Sequence, residues 1–338
     1  MKKAIKNLSI LFSLVILGVV ATSCSSDDDS TSSDDGGSQA SELNGSITED
    51  MTLDSSVTYN LTGIFSVEEG ATLTIPAGTH INTGIGTDVY MVVQKGAQID
   101  IQGTASNPVV MRPTTDGQWG GLLLLGDATT TAGENATAEV GGLVYGGSND
   151  SDNSGSIEYL VIEQSGAQIN ADSQYNGLTL YAVGSSTNIN HVAIINGTDD
   201  GIEFFGGTVN ASNIYVENLE DDAIDWTEGW NGTLTNTYVL HTQAGFSTAL
   251  EADGVNNNPT ITNFTAVSQA GEGTALQFKA TSGATITGLS LTGYDTTIDM
   301  ANDGPLSNVQ IEGVDADPNT AYDNTATVDV SMFDWRNN

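Results

Sequence analysis

The sequence contains few basic residues and a single cysteine. Its 338 residues include 7 lysines and arginines against 43 aspartates and glutamates, which gives a formal net charge of −36. All of the acidic residues follow Cys24, the one cysteine. So much negative charge repels phosphate backbones, which argues against a nucleic-acid partner. One cysteine cannot form an internal disulfide, so the stability of the chain must come from its core and from any metal that it binds.

Several signals of common folds and catalytic sites are also missing. Few segments carry the apolar period of about 3.6 residues that marks a helix, because Gly, Asn and Thr interrupt most of them. The sequence has no Gly-x-Ser-x-Gly elbow, phosphate-binding loop or zinc-type cluster. Its histidines, His80, His191 and His241, lack the spacing of metal ligands. The chain is therefore expected to be neither helical nor a member of those enzyme classes.

The N-terminal segment has the pattern of a secretory signal. Three lysines lie within residues 2–6, an apolar run covers residues 8–21, and small residues lead to the cysteine. This order of a basic start, an apolar stretch and a small-residue cleavage site predicts a signal peptide over residues 1–23. No other apolar run is long enough to span a bilayer, so membrane attachment is expected to be through lipid alone.

The motif Ala21-Thr22-Ser23-Cys24 resembles a bacterial lipobox. This resemblance implies that Cys24 is lipidated and becomes the new N-terminus. The acidic stretch that follows, residues 25–29, resembles the export signal of Bacteroidota-type surface lipoproteins. Residues 24–43 are nearly all Ser, Asp, Gly and Thr, a composition typical of a flexible tether. The protein is therefore expected on the outer membrane of a Gram-negative bacterium, at the cell surface.

Residues 44–338 are predicted to form one repetitive domain. Short apolar–polar–apolar windows recur in its second half, each with an acid or its amide at the centre. Their central residues are Glu203, Asp225, Glu251, Gln277 and Asp299, at spacings of 22, 26, 26 and 22 residues. One short strand per unit of this length is typical of a solenoid, which stacks equivalent residues into a column on one face.

A second repeated strand supports this interpretation. Aligned segments place His191, Asn213, Asn236, Asn263, Gly288 and Asn308 in one column. Asn and Gly tolerate left-handed turns, and stacked amides can hydrogen-bond along a column. Two ladders per repeat predict an all-β fold, a right-handed parallel β-helix of about 22–26 residues per coil. Residues 127–154 are predicted to be a loop excursion from the coil, and Met332–Trp335 an apolar plug over the last coil.

Strand alternation predicts which side chains face outward. Phe204, Trp226 and Phe278 share an inward slot and are expected in the core. Phe205, Trp230 and Tyr181 are candidates for exposed surfaces that stack on sugars. Outward acids concentrate within about three coils, where carboxylates on adjacent strands repel one another unless a cation or a proton intervenes. The candidate metal ligands are Asp199, Asp200, Glu203, Asp221, Asp222, Asp225, Glu251 and Asp253.

Three interpretations of this acidic face stay open. It is a solvated surface, a calcium site using flexible oxygen coordination, or a catalytic site. A polysaccharide lyase would use calcium with Lys279 as base. A glycoside hydrolase would use paired acids such as Asp221, Asp222 and Asp225. The small number of basic residues weakens the lyase interpretation, because polyuronate substrates are anionic.

Motifs ending in double glycine or tryptophan carry a further resemblance. Trp119–Leu122, Tyr145–Gly147, Asp199–Gly207 and Asp221–Trp230 resemble a family of bacterial surface lipoproteins with a predicted parallel β-helix. The resemblance implies the fold but no settled biochemical role.

The expected function is therefore calcium-assisted, non-enzymatic binding of an extracellular glycan or another surface component by a monomer. A carbohydrate-active enzyme is the alternative. Ice binding or general adhesion is a minor alternative, because one outward column approaches a regular threonine column: positions 190, 212, 235, 262, 287 and 307 read Asn, Ser, Thr, Thr, Thr and Ser.

Lipidation at Cys24 can be tested by fractionation. The Cys24→Ala variant should leave the membrane fraction and appear as soluble protein, because the anchor is a single covalent lipid site. Membrane attachment that persists in this variant would contradict the lipoprotein assignment.

Overall fold

The computed structural model describes residues 41–338, apart from 172, 302 and 303. The predicted signal peptide, Cys24 and most of the predicted tether lie outside the described residues. The first strand begins at Ser41, before the predicted domain start at Asn44. No helix in the described part of the chain is long and apolar enough to cross a membrane.

The described residues form 25 strands and two short 3-10 helices. The strands of the first half are β1 Ser41–Ile47, β2 Met51–Thr52, β3 Tyr59–Val67, β4 Thr72–Pro76, β5 His80–Thr83, β6 Met91–Val93, β7 Gln98–Gln102, β8 Val109–Pro113, β9 Leu122–Leu125, β10 Ala136–Thr137, β11 Val144–Tyr145 and β12 Gly155–Glu163. Those of the second half are β13 Leu178–Tyr181, β14 Asn188–Ile195, β15 Ile202–Phe205, β16 Asn210–Glu217, β17 Ile224–Thr227, β18 Thr233–His241, β19 Thr248–Ala252, β20 Thr260–Ser268, β21 Thr274–Phe278, β22 Ala284–Thr292, β23 Thr296–Met300, β24 Val309–Ile311 and β25 Val314–Asp315. The 3-10 helices are Leu306–Asn308 and Val330–Asn337.

Parallel pairing between equivalent strands of successive coils builds three faces. The first face runs through β2, β4 and β7 and continues in the first halves of the long strands β12, β14, β16, β18, β20 and β22. The second runs through β5 and β8 into the second halves of the same strands. The third consists of β6, β9, β13, β15, β17, β19, β21 and β23. This is a right-handed parallel β-helix, as the sequence predicts.

A left-handed residue bends each long strand between the first and second faces. The bend falls at Tyr159, His191, Asn213, Asn236, Asn263 and Gly288, with φ between 51° and 68°. Asn236 donates its side-chain amide to Asn213 at 3.1 Å, and Asn263 donates to Asn236 at 2.9 Å. The predicted amide column is therefore confirmed from His191 to Gly288.

The predicted alignment is wrong at its last member. Ala284 pairs with Val309 and Ile286 pairs with Ile311. Asn308 therefore lies five positions too early in the coil to follow Gly288, and it belongs to a 3-10 helix. Residues 286–291 and 306–311 resemble each other in sequence, and this similarity led to the wrong register.

Inward side chains of all three faces form one continuous apolar core. The predicted inward residues Phe204, Trp226 and Phe278 are each no more than 2% exposed. Ile261 and Ile286 on the first face are fully buried as well. Burial of this kind stabilises by roughly 25 cal/mol for each Å² of apolar surface removed from water.

The C-terminal segment does not plug the last coil. Phe333 and Trp335 instead pack on the outer side of the second face, in a cluster with Val161, Ala193 and Tyr215. Asn338 donates its side-chain amide to the carbonyl oxygen of Ala105 at 2.7 Å. The prediction failed because an apolar terminal motif indicates that a surface is covered, without indicating which surface.

Candidate functional site

The third face carries the acidic column that the sequence predicts. Glu203 pairs with Asp225 across β15 and β17, and Gln277 pairs with Glu251 on one side and Asp299 on the other. The coils of β17 and β19 are joined by a bond from the Asp253 amide to the Trp226 carbonyl at 2.9 Å. Side chains at these positions point away from the core.

The excursion of residues 127–154 covers the first coils of this face. The ring of Tyr145 in the excursion lies 4.8 Å from that of Tyr181, which in turn stacks on Phe205 at 4.4 Å. Thr130 and Tyr145 donate hydroxyl hydrogen bonds to Glu228 at 2.5 and 2.8 Å. These contacts attach the excursion to the third face of the β-helix, so that an outward side chain beneath the excursion is buried.

The aromatic candidates for sugar stacking are therefore misassigned as exposed residues. Phe205 is 6% exposed, and Tyr181 and Trp230 are fully buried. Trp230 stacks on Phe204 at 4.3 Å and donates its indole N–H to the Val209 carbonyl at 3.0 Å. Tyr181 and Phe205 point away from the core and are covered by the excursion, which strand alternation cannot reveal. Trp230 instead lies within the main core.

The predicted metal ligands differ in how far their side chains are buried. Two groups of three carboxylates each have ligand oxygens within 4.8 Å of one another: Asp200, Glu203 and Asp225, and Asp199, Asp200 and Asp221. We use the term carboxylate cluster for these residues together with their neighbours Asp222 and Glu251. Its buried members, each less than one-tenth exposed, are Asp200, Glu203, Asp222, Asp225 and Glu251. A fully solvated face is therefore wrong for these five side chains.

Asp221 and Asp253 differ from the buried members. Asp221 is exposed. Asp253 is partly exposed, and its carboxylate accepts a bond from the Gly254 amide at 2.5 Å, which serves a local turn. Asp253 belongs to neither group of converging carboxylates. Its position in the repeat predicted that Asp253 would lie with the other ligands, but its carboxylate is engaged in this turn.

Hydrogen bonds satisfy only part of the carboxylate cluster. Asn176 donates its amide to Glu203 at 2.6 Å, and Asp200 accepts the backbone N–H of Asp222 at 2.9 Å. The Oδ1 atoms of Asp225 and of Asn176 are buried without a hydrogen-bond partner among the described residues. Unpartnered buried oxygens are costly, and here they lie where carboxylates converge.

One basic residue lies beside the cluster. Lys279 forms an ion pair with Glu251. In the described part of the chain, the other lysine and arginine side chains pair elsewhere: Lys95 with Asp127, Arg112 with Glu163, and Arg336 with Asp334. A single ammonium group cannot neutralise five buried carboxylates.

Burial and mutual repulsion raise the pKa values of the acids of the cluster. Burial, followed by the charge of Asp221, raises the pKa of Asp199 to about 8. Burial and the charge of Glu251 raise the pKa of Asp225 to about 7, against the opposing charge of Lys279. Burial raises the pKa values of Asp200, Glu203 and Asp222 well above the usual range. The cluster therefore needs bound protons or a cation at neutral pH.

The arrangement suits a hard cation better than it suits a catalytic base. Carboxylate and amide oxygens are the ligands that calcium takes in flexible geometry. Burial lowers the pKa of Lys279, but the bond to Glu251 outweighs it and the net shift is upward. A lysine held protonated in an ion pair is a poor general base.

Two residues that contribute to the site were not predicted from the sequence. Asn176 could have been found, because Asn176-Gly177-Leu178 precedes Asp200-Gly201-Ile202 by one coil and pairs with it. Glu139 in the excursion adds negative charge that raises the pKa of Asp199 and Glu203. No repeat pattern pointed to Glu139, because the excursion lies outside the repeat.

Comparison with known proteins agrees with this architecture. Residues 45–333 match the pectate-lyase-like β-helix domain family, and the chain belongs to that family. No curated protein matches the chain.

The raised pKa values predict how stability depends on pH when divalent cations are absent. Asp199 and Asp225 hold protons more tightly in the folded protein than at their ordinary pKa of 3.8. Their contribution to stability is therefore complete below the ordinary pKa of 3.8, falls progressively as the pH rises above it, and is lost above the folded-state values of about 7 and 8. Thermal melts in EDTA should show a melting temperature that falls across this window. Asp225→Asn should flatten the fall, and a melting temperature that rises with pH would contradict the assignment.

Proposed function

We propose that the protein is a lipid-anchored β-helix of the cell surface that binds a glycan or another surface component without catalysing a reaction. Calcium held by the carboxylate cluster assists this binding by fixing the third face and the excursion. The observation that carries the proposal is the convergence of Asp200, Glu203 and Asp225 from two adjacent coils, buried and with oxygens within 4.8 Å.

The donor set supports calcium over metals that prefer nitrogen or sulfur. The converging groups are carboxylates, and the neighbouring amide oxygen of Asn176 is without a hydrogen-bond partner among the described residues. Calcium accepts six to eight oxygen ligands, and several carboxylates around one ion favour high affinity. An ion at this position would offset the repulsion that adjacent strands impose on Glu203 and Asp225.

A cavity beside the excursion supports an uncharged ligand. It has a volume of about 310 Å³ and includes Thr131, Thr208, Asn231 and Asn257 among its lining residues. Hydroxyl and amide groups of this kind hydrogen-bond to sugar hydroxyls. Asp150 and Glu228 also line the cavity and no lysine or arginine does, which favours a neutral glycan over a uronate or a sulfated chain.

A carbohydrate-active enzyme is the second candidate, and the match to a pectate-lyase-like domain favours it. Fold membership alone does not decide activity. The candidate acids Asp222 and Asp225 are buried, and the candidate base Lys279 is engaged with Glu251. Substrate access to these groups would require displacement of the side chains that cover them.

Calcium binding can be tested by thermal melts of the full chain with EDTA and with excess calcium. Calcium should raise the melting temperature, because a ligand at 100 times its Kd stabilises by about 2.7 kcal/mol. The double variant Asp222→Asn with Asp225→Asn should lose this rise. It should also melt higher than wild type in EDTA, since it no longer buries repelling charges.

Asp299→Asn is the matched control for that experiment. Asp299 occupies the same outward slot two coils beyond Glu251, where it accepts a bond from Gln277 at 2.9 Å. This variant should keep the full calcium response. A response that survives in the double variant would place the ion elsewhere, and a wild-type protein without any response would refute the calcium site.

Reaction products separate the two candidate functions. Incubation with acidic and neutral polysaccharides should generate neither an unsaturated uronate, which absorbs in the ultraviolet, nor new reducing ends. An ultraviolet-absorbing product would establish a lyase. New reducing ends without an ultraviolet-absorbing product, which disappear in Asp225→Asn, would establish a hydrolase.

A further inference from the structure

The first face of the β-helix presents a second threonine column beside the one that the sequence predicts. Thr233, Thr260 and Thr285 pair in register on β18, β20 and β22. Thr235, Thr262 and Thr287 pair in register two positions further along the same strands. The six residues form a threonine array of two columns by three coils.

The array continues as a neutral surface onto the two preceding coils. Asn188 and Asn190 on β14 pair with Asn210 and Ser212 on β16, and Ser212 pairs with Thr235. The ten outward positions of these five coils therefore carry no charged and no aromatic side chain. In a chain with 43 acids, a surface of this extent without charge is distinctive.

Buried neighbours hold the array rigid. Leu234, Ile261 and Ile286 alternate with the threonines and are fully buried beneath them. The hydrogen-bonded amides of Asn236 and Asn263 fix the bend at the edge of the array. The array therefore keeps a spacing of about 4.8 Å between coils and about 6.6 Å between columns, set by the strand geometry.

Each position of the array offers a methyl group and a hydroxyl group. All six threonines are partly exposed. At the edge of the array Thr285 donates to Asn258 at 2.8 Å, and Thr287 donates to Thr262 at 3.5 Å. Each hydroxyl oxygen keeps acceptor capacity toward a ligand.

The chemistry of the array selects the kind of ligand. Without charge it has no attraction for ions or polyelectrolytes, and without aromatic rings it lacks the platform that would add stacking to hydrogen bonds with an isolated sugar ring. A rigid lattice of weak sites binds strongly only when many are engaged at once, which requires a ligand with a lattice of its own. We propose that this threonine array binds the surface of ice, ordering water through its hydroxyl and methyl groups.

Ice is the probe for the test, with the full chain as the protein. The wild type should shape growing ice crystals, hold them below the melting point without growth, and slow recrystallisation. Thr262→Tyr places a bulky ring in the middle of the array and should abolish these effects. Thr235→Tyr is a second variant with the same expectation, should Thr262→Tyr fail to fold.

Thr74→Tyr is the matched control. Thr74 faces outward on β4 of the same face and pairs with Asp100, away from the array. This variant should retain the ice activity of the wild type, and the melting temperatures of all folded variants should be similar. A wild type without effect on ice would overturn the proposal, as would full activity in both Thr262→Tyr and Thr235→Tyr. Binding to insoluble cellulose that Thr262→Tyr removes, with no effect on ice, would assign the array to a glycan instead.

Discussion

Hydrogen bonds between parallel strands hold each coil about 4.8 Å from the next, and this spacing governs the side chains of every column. A residue cannot move away from its equivalent in the neighbouring coil, so each column must be made of groups that tolerate close stacking. Apolar groups satisfy this inside the core. On the outside, amides satisfy it at Asn213, Asn236 and Asn263 by bonding to one another.

The same constraint makes the acidic column costly. Glu203 and Asp225 are held beside each other by strand register, and the excursion removes the water that would screen them. The energy of two like charges at such a distance grows as the surroundings become less polar. The sheet and the excursion together therefore raise the affinity of the carboxylate cluster for protons and cations. The hydrogen bonds from Thr130 and Tyr145 to Glu228 hold the excursion in position over this face.

The fold could be predicted from the sequence because the fixed spacing of the coils requires similar residues at regular intervals along the chain. Spacings of 22 and 26 residues identified the coil, and the turn-forming Asn residues identified the bend. The column of Glu203, Asp225, Glu251, Gln277 and Asp299 was predicted correctly for the same reason.

The sequence could not predict features that lie outside the repeat. Residues 127–154 have no period, so their packing over Phe205 and Tyr181 could not be derived. Glu139 of the excursion lies near enough to Glu203 to raise the pKa of that carboxyl, and this contact could not be derived from the repeat either. Asn308 was misaligned because two similar segments differ in register. Local similarity identifies a strand, whereas register depends on the turns that lead into it.

The docking of the C-terminal segment has a consequence for the order of folding. Adjacent coils contact one another over short separations along the chain, so they can stack as soon as both have been synthesised. The bond between Asn338 and Ala105 joins residues 233 positions apart, which is a late event because long loops close slowly. Until then Val161, Ala193 and Tyr215 present an uncovered apolar strip. A newly synthesised chain thus passes through a stage in which this strip is open to aggregation or to a chaperone.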